Sequence, residues 1–503
     1  MTGINDSRGI VKNHDPLDLL TAAPDCIYRG KIDRCGNMGV IKGGISIMKY
    51  NFKRKGGLKR VIALMAVMIF CLAGCGKGSS KKEEGSTGNG ITLTYQQNGD
   101  TLSAKQGQSV KLGNDLKKND IPASTEAEEE AFKKATANLA FKLMKALSGK
   151  EGGKNVMISP DSIITALAMT QNGAKGATLE EMLGILGAGM TLEEYNKALS
   201  GYNNMLSSLT GVKFAAANSI WIRNTPQLQI NKDFIQTNVD YYDANVFLAD
   251  FDEQTVNDIN NWVNDNTDGM IDKLFDEISE DHMMYLINAL SFEAQWAEQY
   301  EEGQIAEDCT FTNSEGKEQK VTMLCETMNG LIKLNGGLGF SKSYEGGQYS
   351  FVALLPPEGM SVDEYLAGIT GEDFLAAMRA KDYEPDLITR LPEFKYDYST
   401  SLKEVLKELG MAGAFEKDAD FSGMCDPNLM NLWIGDVIHK THIELDRNGT
   451  KAAAVTAVIM CGEAMAMEEP EKIYITLDRP FVYAIVDNTT GLPVFLGSVN
   501  SIE

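Results

Sequence analysis

The chain has 503 residues, 43% of them hydrophobic, and a formal net charge of −23. That is enough apolar side chain to bury a large core, and more chain than one average domain uses. Its acidity argues against nucleic-acid binding, which rests on Lys and Arg neutralising phosphates.

The charge is uneven: residues 1–74 carry +7 and the remainder −30. Lys53, Arg54, Lys55, Lys59 and Arg60 precede the apolar run Val61 to Leu72, which Ala73, Gly74 and Cys75 close. A basic region, a short apolar stretch and small residues at the cut form the layout of a secretory signal, and the run is too short for a comfortable membrane span. The segment resembles a bacterial lipoprotein signal, which implies that Cys75 is lipidated and becomes the new N-terminus. Because signals start chains, residues 1–47 do not fit. Lys42-Gly43-Gly44 suits a purine-rich ribosome-binding sequence ahead of Met48, so translation is expected to begin at Met48 and 1–47 to be an untranslated extension. Residues 48–75 are then the signal peptide. The polar stretch 76–124, rich in Gly, Ser, Lys and Glu at its start, reads as a flexible tether.

Thr125 and Glu128 make a capping-box start, with Phe132, Ala135, Leu139, Leu143 and Leu147 following at helical spacing before Gly149. The folded domain is expected over 125–503. Helical patterns dominate to about Leu209 and recur at 363–379 and 401–409. Apolar runs at 351–355, 473–477 and 481–486 read as strands. With no βαβ rhythm and no internal repeat, the pattern predicts an α+β fold.

Gly449, Thr450, Lys451, Ala452, Ala453, Ala454, Val455 and Thr456 are neither a polar loop nor a bulky core strand. At a strand's period of two, one side carries Thr450, Ala452, Ala454, Thr456, Val458, Met460 and Gly462, all uncharged, while Lys451 falls on the other. Small side chains lose little rotamer entropy on ordering, and an uncharged face enters a sheet without a desolvation penalty. The segment suits exposure first and burial later. Catalytic signatures such as G-x-S-x-G, H-E-x-x-H and phosphate-cradling Gly-rich loops are missing, so neither an enzyme nor a cofactor is expected. His439 and His442 sit three apart near a strand, where a structural role is expected rather than a metal site.

The run Leu445 to Val458 resembles the reactive-loop hinge of inhibitory serpins, and Asp478 to Ile485 with Leu496 to Val499 resembles their C-terminal strands. Asn155 to Met169, Asn218-Ser-Ile-Trp, Ile259-Asn-Asn-Trp, Asn288-Ala-Leu-Ser-Phe with Trp296, Leu391-Pro-Glu-Phe-Lys and Ala419 to Met424 agree in order, from about residue 128 to the end. The resemblance implies the serpin fold: three β-sheets surrounded by about nine helices, with an exposed reactive-centre loop. It implies a buried shutter of Ser159, Ser162, Asn288 and His439 beneath the sheet where it opens, with Trp296 at the top of that opening. It also implies suicide inhibition of a serine or cysteine protease through a covalent complex, with the cut loop inserting as a new strand.

Counting from Gly449 places the scissile bond at Glu463-Ala464, with Met460, Met465 and Met467 as alternatives because the loop is longer than in many relatives. Arg447, Lys451 and Glu293 depart from the family's usual charges, with small effects expected where they face solvent. The protein is expected to act as a monomer outside the cell, lipid-anchored to the bacterial membrane surface and touching the membrane through its N-terminal lipid only. Cys309 and Cys325, across the turn-rich 313–316, are a possible disulfide; Cys425 reads as an ordinary thiol, and Cys461 lies in the loop. The competing readings are a non-inhibitory serpin that binds or chaperones, and a solute-binding lipoprotein.

Overall fold

The computed structural model describes residues 91–502, apart from 93–94, 188, 209–212, 244 and 451–469. The helices are α1 (Glu126–Glu151), α2 (Pro160–Gln171), α3 (Gly176–Leu186), α4 (Leu192–Ser208), α5 (Lys232–Tyr242), α6 (Glu253–Asn266), α7 (Val362–Ala367), α8 (Gly371–Arg379) and α9 (Lys403–Leu409). The first ten strands are β1 (Gln96–Asn98), β2 (Thr101–Ser103), β3 (Val110–Leu112), β4 (Val156–Ile158), β5 (Lys213–Arg223), β6 (Ile230–Asn231), β7 (Asn245–Ala249), β8 (Met284–Gln295), β9 (Ile305–Thr312) and β10 (Glu318–Met328). The rest are β11 (Ile332–Leu334), β12 (Gly337–Ser343), β13 (Tyr349–Leu355), β14 (Asp386–Pro392), β15 (Phe394–Ser401), β16 (Asp436–Asp446), β17 (Gly449–Thr450), β18 (Lys472–Thr476), β19 (Phe481–Asp487) and β20 (Pro493–Val499).

The main sheet runs β15-β16-β17-β8-β5-β7-β3. A six-stranded sheet, β11-β12-β13-β19-β20-β4, and a four-stranded one, β18-β14-β10-β9, complete the three expected sheets; β1, β2 and β6 add a small fourth. Helix α2 is buried on every side, its polar residues Asp161, Ser162, Thr165, Thr170 and Gln171 included, and packs beneath β5 and β8. On the opposite face of the main sheet, Ile259 and Trp262 of α6 share a second core with Trp221, Phe247, Tyr285 and Ile287. Thr125 caps α1 with a full capping box, as its spacing predicts. The single helix expected over 363–379 is two, divided at Gly368, whose backbone N–H closes α7.

Residues 91–124 correct the flexible tether. Leu102, Val110 and Leu112 are buried. β3 pairs antiparallel with β7 as an edge strand of the main sheet, and β2 pairs with β6. The chain then follows α5, where the Asn119 backbone N–H and side-chain amide donate to Asp240 at 2.8 and 3.0 Å. A few isolated apolar residues in a polar sequence suffice because each meets a pre-formed edge or groove. The polar composition that suggests a tether holds only for 76–90, outside the described residues. The 309–325 disulfide is also not formed: Cys309 stands opposite Val321, a bulge shifts the register after it, and both thiols are free. Cys325 lies four residues further along β10, roughly 13 Å away at strand rise and beyond the reach of a bridge.

Leu112→Ala should cost about 2–4 kcal/mol, as for other fully buried leucines. The neighbouring Lys117→Ala should change stability by less than about 0.5 kcal/mol. Urea midpoints of the two variants check this, and two silent substitutions would restore the tether.

Candidate functional site

Two clusters sit where β8 and β16 meet. The first lies midway along the strands. β16 alternates strictly, burying Val437, His439, Thr441, Ile443 and Leu445 on its inner face. Its register sets His439 beside Asn288 on β8, which in turn faces Asn218 on β5, so three polar side chains form one row across the sheet. Beneath that row, Ser159 caps α2 and Pro160 fills the first helical position, an ordinary start signal.

The network closes on itself. The Ser159 backbone N–H donates to His439 Nε2 at 3.1 Å, so this nitrogen carries no proton and Nδ1–H donates to the Asn288 side-chain oxygen. Asn288 Nδ2 donates to Ser162 Oγ and, at 2.8 Å, to Asn218 Oδ1; the Ser162 hydroxyl donates to that same oxygen at 2.7 Å. Burial holds His439 neutral, with its pKa pushed down to about 3. His442, three residues on, lies on the opposite face of the strand and bonds Asp397, so the two histidines cannot share a ligand.

The second cluster is at the top. β8 and β16 pair directly and in parallel from Tyr285/Asp436 to Leu290/Thr441. Above that, Gly449 and Thr450 stand between them, paired to Gln295 and Ala294 on one side and to Asp446 and Leu445 on the other. Among the described residues, 291–293 of β8 and 442–444 of β16 have no ladder partner across this gap. Gly449 has φ +154°, and a Cβ there would meet the Ala294 carbonyl oxygen at 2.2 Å, so only glycine fits. Asp446 Oδ1 accepts the Asn448 and Gly449 N–H groups at 2.7 and 3.1 Å, which sets the turn.

Trp296 lies over this turn, 2% exposed. Its indole N–H donates to the Asp446 carbonyl and its backbone N–H to the Asn448 carbonyl, each at 2.9 Å. Its ring stacks on Tyr344 with centroids 4.6 Å apart, and the Tyr344 hydroxyl is 2.7 Å from Thr450 Oγ1. The ion pair of buried Lys342 with half-buried Glu326 adjoins the stack, with Lys342 Nζ 4.3 Å from the Tyr300 ring centroid. Arg447 points outward and bonds Glu393, while Glu293 lies 3.7 Å from Lys213.

The structure thus brings Ser159, Ser162, Asn288 and His439 into one network and sets Trp296 against the turn before Thr450. Sequence reasoning missed two participants. Asn218 stood in a noted motif but acquires its role only from strand register. Tyr344 had no signal, because its partner Thr450 is 106 residues away. Lys451 to Thr456, the bond Glu463-Ala464, Met460, Met465, Met467, Cys461 and Cys75 lie outside the described residues. Cys425 is buried, its thiol donating to the Met430 carbonyl and its pKa pushed up to about 11 by burial.

Residues 134–502 match the family model described as Serpin (serine protease inhibitor). The chain belongs to the serpin family. Among solved structures it is similar to the thermophilic serpin tengpin in its native state, 40% identical, with a TM-score of 0.73 over 78% of this chain and all of that one. The likeness to tengpin in its latent state is lower, at 0.64. An uncharacterized serpin-like protein of Thermococcus kodakarensis is 29% identical over 88% of this chain and 98% of its own length. Human thyroxine-binding globulin shares the fold at 21% identity and a TM-score of 0.66, over 75% of this chain and 99% of its own. The serpin fold expected from the sequence is therefore the fold of this chain.

Two outcomes follow from the clusters. Tyr344→Phe leaves Thr450 Oγ1 without this partner and should cost about 1–3 kcal/mol, part of which Thr450→Val recovers in the same background. Strictly additive losses in thermal melts of the double-mutant cycle would contradict the contact. His439, depressed in the folded protein, stabilises above its unfolded pKa near 6.5, and that contribution is lost as pH falls from 6.5 toward 3. His439→Gln should flatten the decline in stability over that window, whatever its effect at pH 7.5.

Proposed function

We propose that the protein is a suicide-type inhibitor of serine proteases, extending to papain-like cysteine proteases, that works by loop insertion. Serpins as a family are protease inhibitors. The observation that carries the reading here is the placement of Gly449 and Thr450 between β8 and β16, with a gap in the ladder of the described residues directly below them. In the sequence that follows, a strand's period of two puts Thr450, Ala452, Ala454 and Thr456 on one side and Lys451 on the other.

The target's nucleophile attacks a carbonyl in the segment after Thr456 and forms an acyl-enzyme, releasing the C-terminal side as a free amine. The hinge, no longer tethered at both ends, advances downward from Thr450. Each rung gains ladder hydrogen bonds and buries Ala452, Ala454 and Thr456 in turn. For insertion to continue past Leu290 and Thr441, the parallel β8–β16 pairing and the Asn288–His439 bond must part, so the shutter is what the moving strand replaces. The native state is then a kinetically held one. Serpin loop insertion is a known instance both of strand addition to a sheet and of a switch that releases stored strain, and this mechanism is that same one.

Cleavage at Glu463-Ala464 would suit a glutamate-preferring protease, and cleavage after Met460, Met465 or Met467 elastase-, subtilisin- or papain-like ones. We further propose that the mature protein starts at a lipidated Cys75, is displayed outside a bacterial cell and acts as a monomer. A non-inhibitory binding role is the second reading. A bulky or charged residue on the inward face of the hinge would favour it, and that face has neither.

Incubating residues 76–503 with those proteases should give a complex that survives denaturing gels, together with a released C-terminal peptide whose mass reports the bond cut. Thr450→Arg, which forces a charge into the first buried position, should abolish the complex and leave cleavage. Cleavage of the unaltered protein without any complex would overturn inhibition in favour of the binding role.

A further inference from the structure

We propose that Lys342 is a positioning residue for hinge entry: anchored by Glu326, its ammonium group clamps the Tyr300 and Trp296 rings and through them holds the turn 446–448 in place. The inference rests on the loop-insertion reading and adds to it a control on the first rung.

Among the described residues Lys342 is the one buried lysine, at 6% exposure. It lies on β12, and the Glu326 carboxylate that accepts from it lies on β10, so the pair joins the six-stranded sheet to the four-stranded one. Lysine is seldom buried without a partner, because its charge loses the surrounding water. One carboxylate and two aromatic faces take the place of that water here. The Tyr300 ring centroid lies 4.3 Å from Nζ and the Trp296 ring centroid 5.7 Å.

The hinge turn hangs from the segment that carries these rings. The carbonyls of Asp446, Arg447 and Asn448 accept, in order, from the Trp296 indole N–H, the Tyr300 backbone N–H and the Trp296 backbone N–H, at 2.9, 3.1 and 2.9 Å. Three successive carbonyls are thus held by residues 296–300. On its other side the segment is tied to β12, where the Ala297 N–H donates to the Ser343 carbonyl at 3.0 Å, next to Lys342. Gly449 and Thr450 follow the turn directly, so what fixes 296–300 also fixes the first two residues between β8 and β16.

The consequence is kinetic. A strand joining a sheet must order its first residues before the ladder rewards it. With Gly449 and Thr450 already placed, the cut segment extends an existing rung, and insertion gains on hydrolysis of the acyl-enzyme. β10 and β12 lie outside the main sheet, so the anchor does not have to move when β8 and β16 part.

Two variants test the role. Lys342→Met combined with Glu326→Gln removes both charges at similar volume and leaves no buried ion unpaired. Tyr300→Leu keeps the ion pair and removes the ring. Amide hydrogen exchange over 446–450 should rise about tenfold in each, with β19 unchanged as the internal reference. With the proteases named above, the share of attacked protein that ends as complex should fall several-fold, and the share merely cleaved should rise. Unchanged exchange over 446–450, or an equal rise in β19, would overturn the clamp. Raised exchange with an unchanged share of complex would overturn its part in hinge entry. If the unaltered protein forms no complex, the inhibitory reading fails and takes the entry role with it, while exchange still decides the clamp. Should one variant fail to fold, the other decides alone.

Discussion

Everything distinctive about this molecule follows from two residues, Gly449 and Thr450, standing between β8 and β16 at the top of the main sheet. Their position is fixed from three sides. The Ala294 carbonyl excludes any side chain at 449, Asp446 ties the preceding turn, and Tyr344 meets the Thr450 hydroxyl. Below them the sheet has a choice it has not taken: β8 and β16 pair with each other over six rungs, when a strand between them would offer each a ladder along its whole length. On the proposed mechanism this sheet, satisfied by its own strands, also accepts another, and that is the physical basis of a state held by kinetics.

The polar row at the shutter makes sense in that light. Neutral His439, Asn288, Ser162 and Ser159 are fully buried and Asn218 partly so, and the row is held by hydrogen bonds without any charge. A charged pair there would resist separation, and an apolar row would have no directional register. Neutral hydrogen bonds, worth about 1 kcal/mol each net, hold the strands together and, on the proposed mechanism, are weak enough to exchange. At the far end of the same sheet β3 pairs with β7 and becomes the edge strand.

How much of this was legible in the sequence depends on whether the signal is local. The period-two face from Thr450, the Thr125 capping box and the Ser159-Pro160 helix start are each set by neighbours within a few residues, and each could be read directly. The family's ordered motifs extended that to the fold. Asn218 and Tyr344 could not be read, since the first depends on the register of three strands and the second on a contact across 106 residues. The segment 91–124 was misjudged because composition averages over its few buried residues, Leu102, Val110 and Leu112. The Cys309–Cys325 pairing failed on the hairpin register, which the turn sets by pairing Thr312 with Glu318 and so Cys309 with Val321, four residues short of Cys325.

The central claim is that the segment after Thr450 gains stability by joining the main sheet once cut. Thermal denaturation of the intact protein, and of the same protein nicked once within residues 451–469, tests it most directly. The account predicts a large rise in the midpoint on nicking, because the added strand completes the ladders of β8 and β16. An unchanged or lower midpoint, as an ordinary cut loop would give, would contradict it.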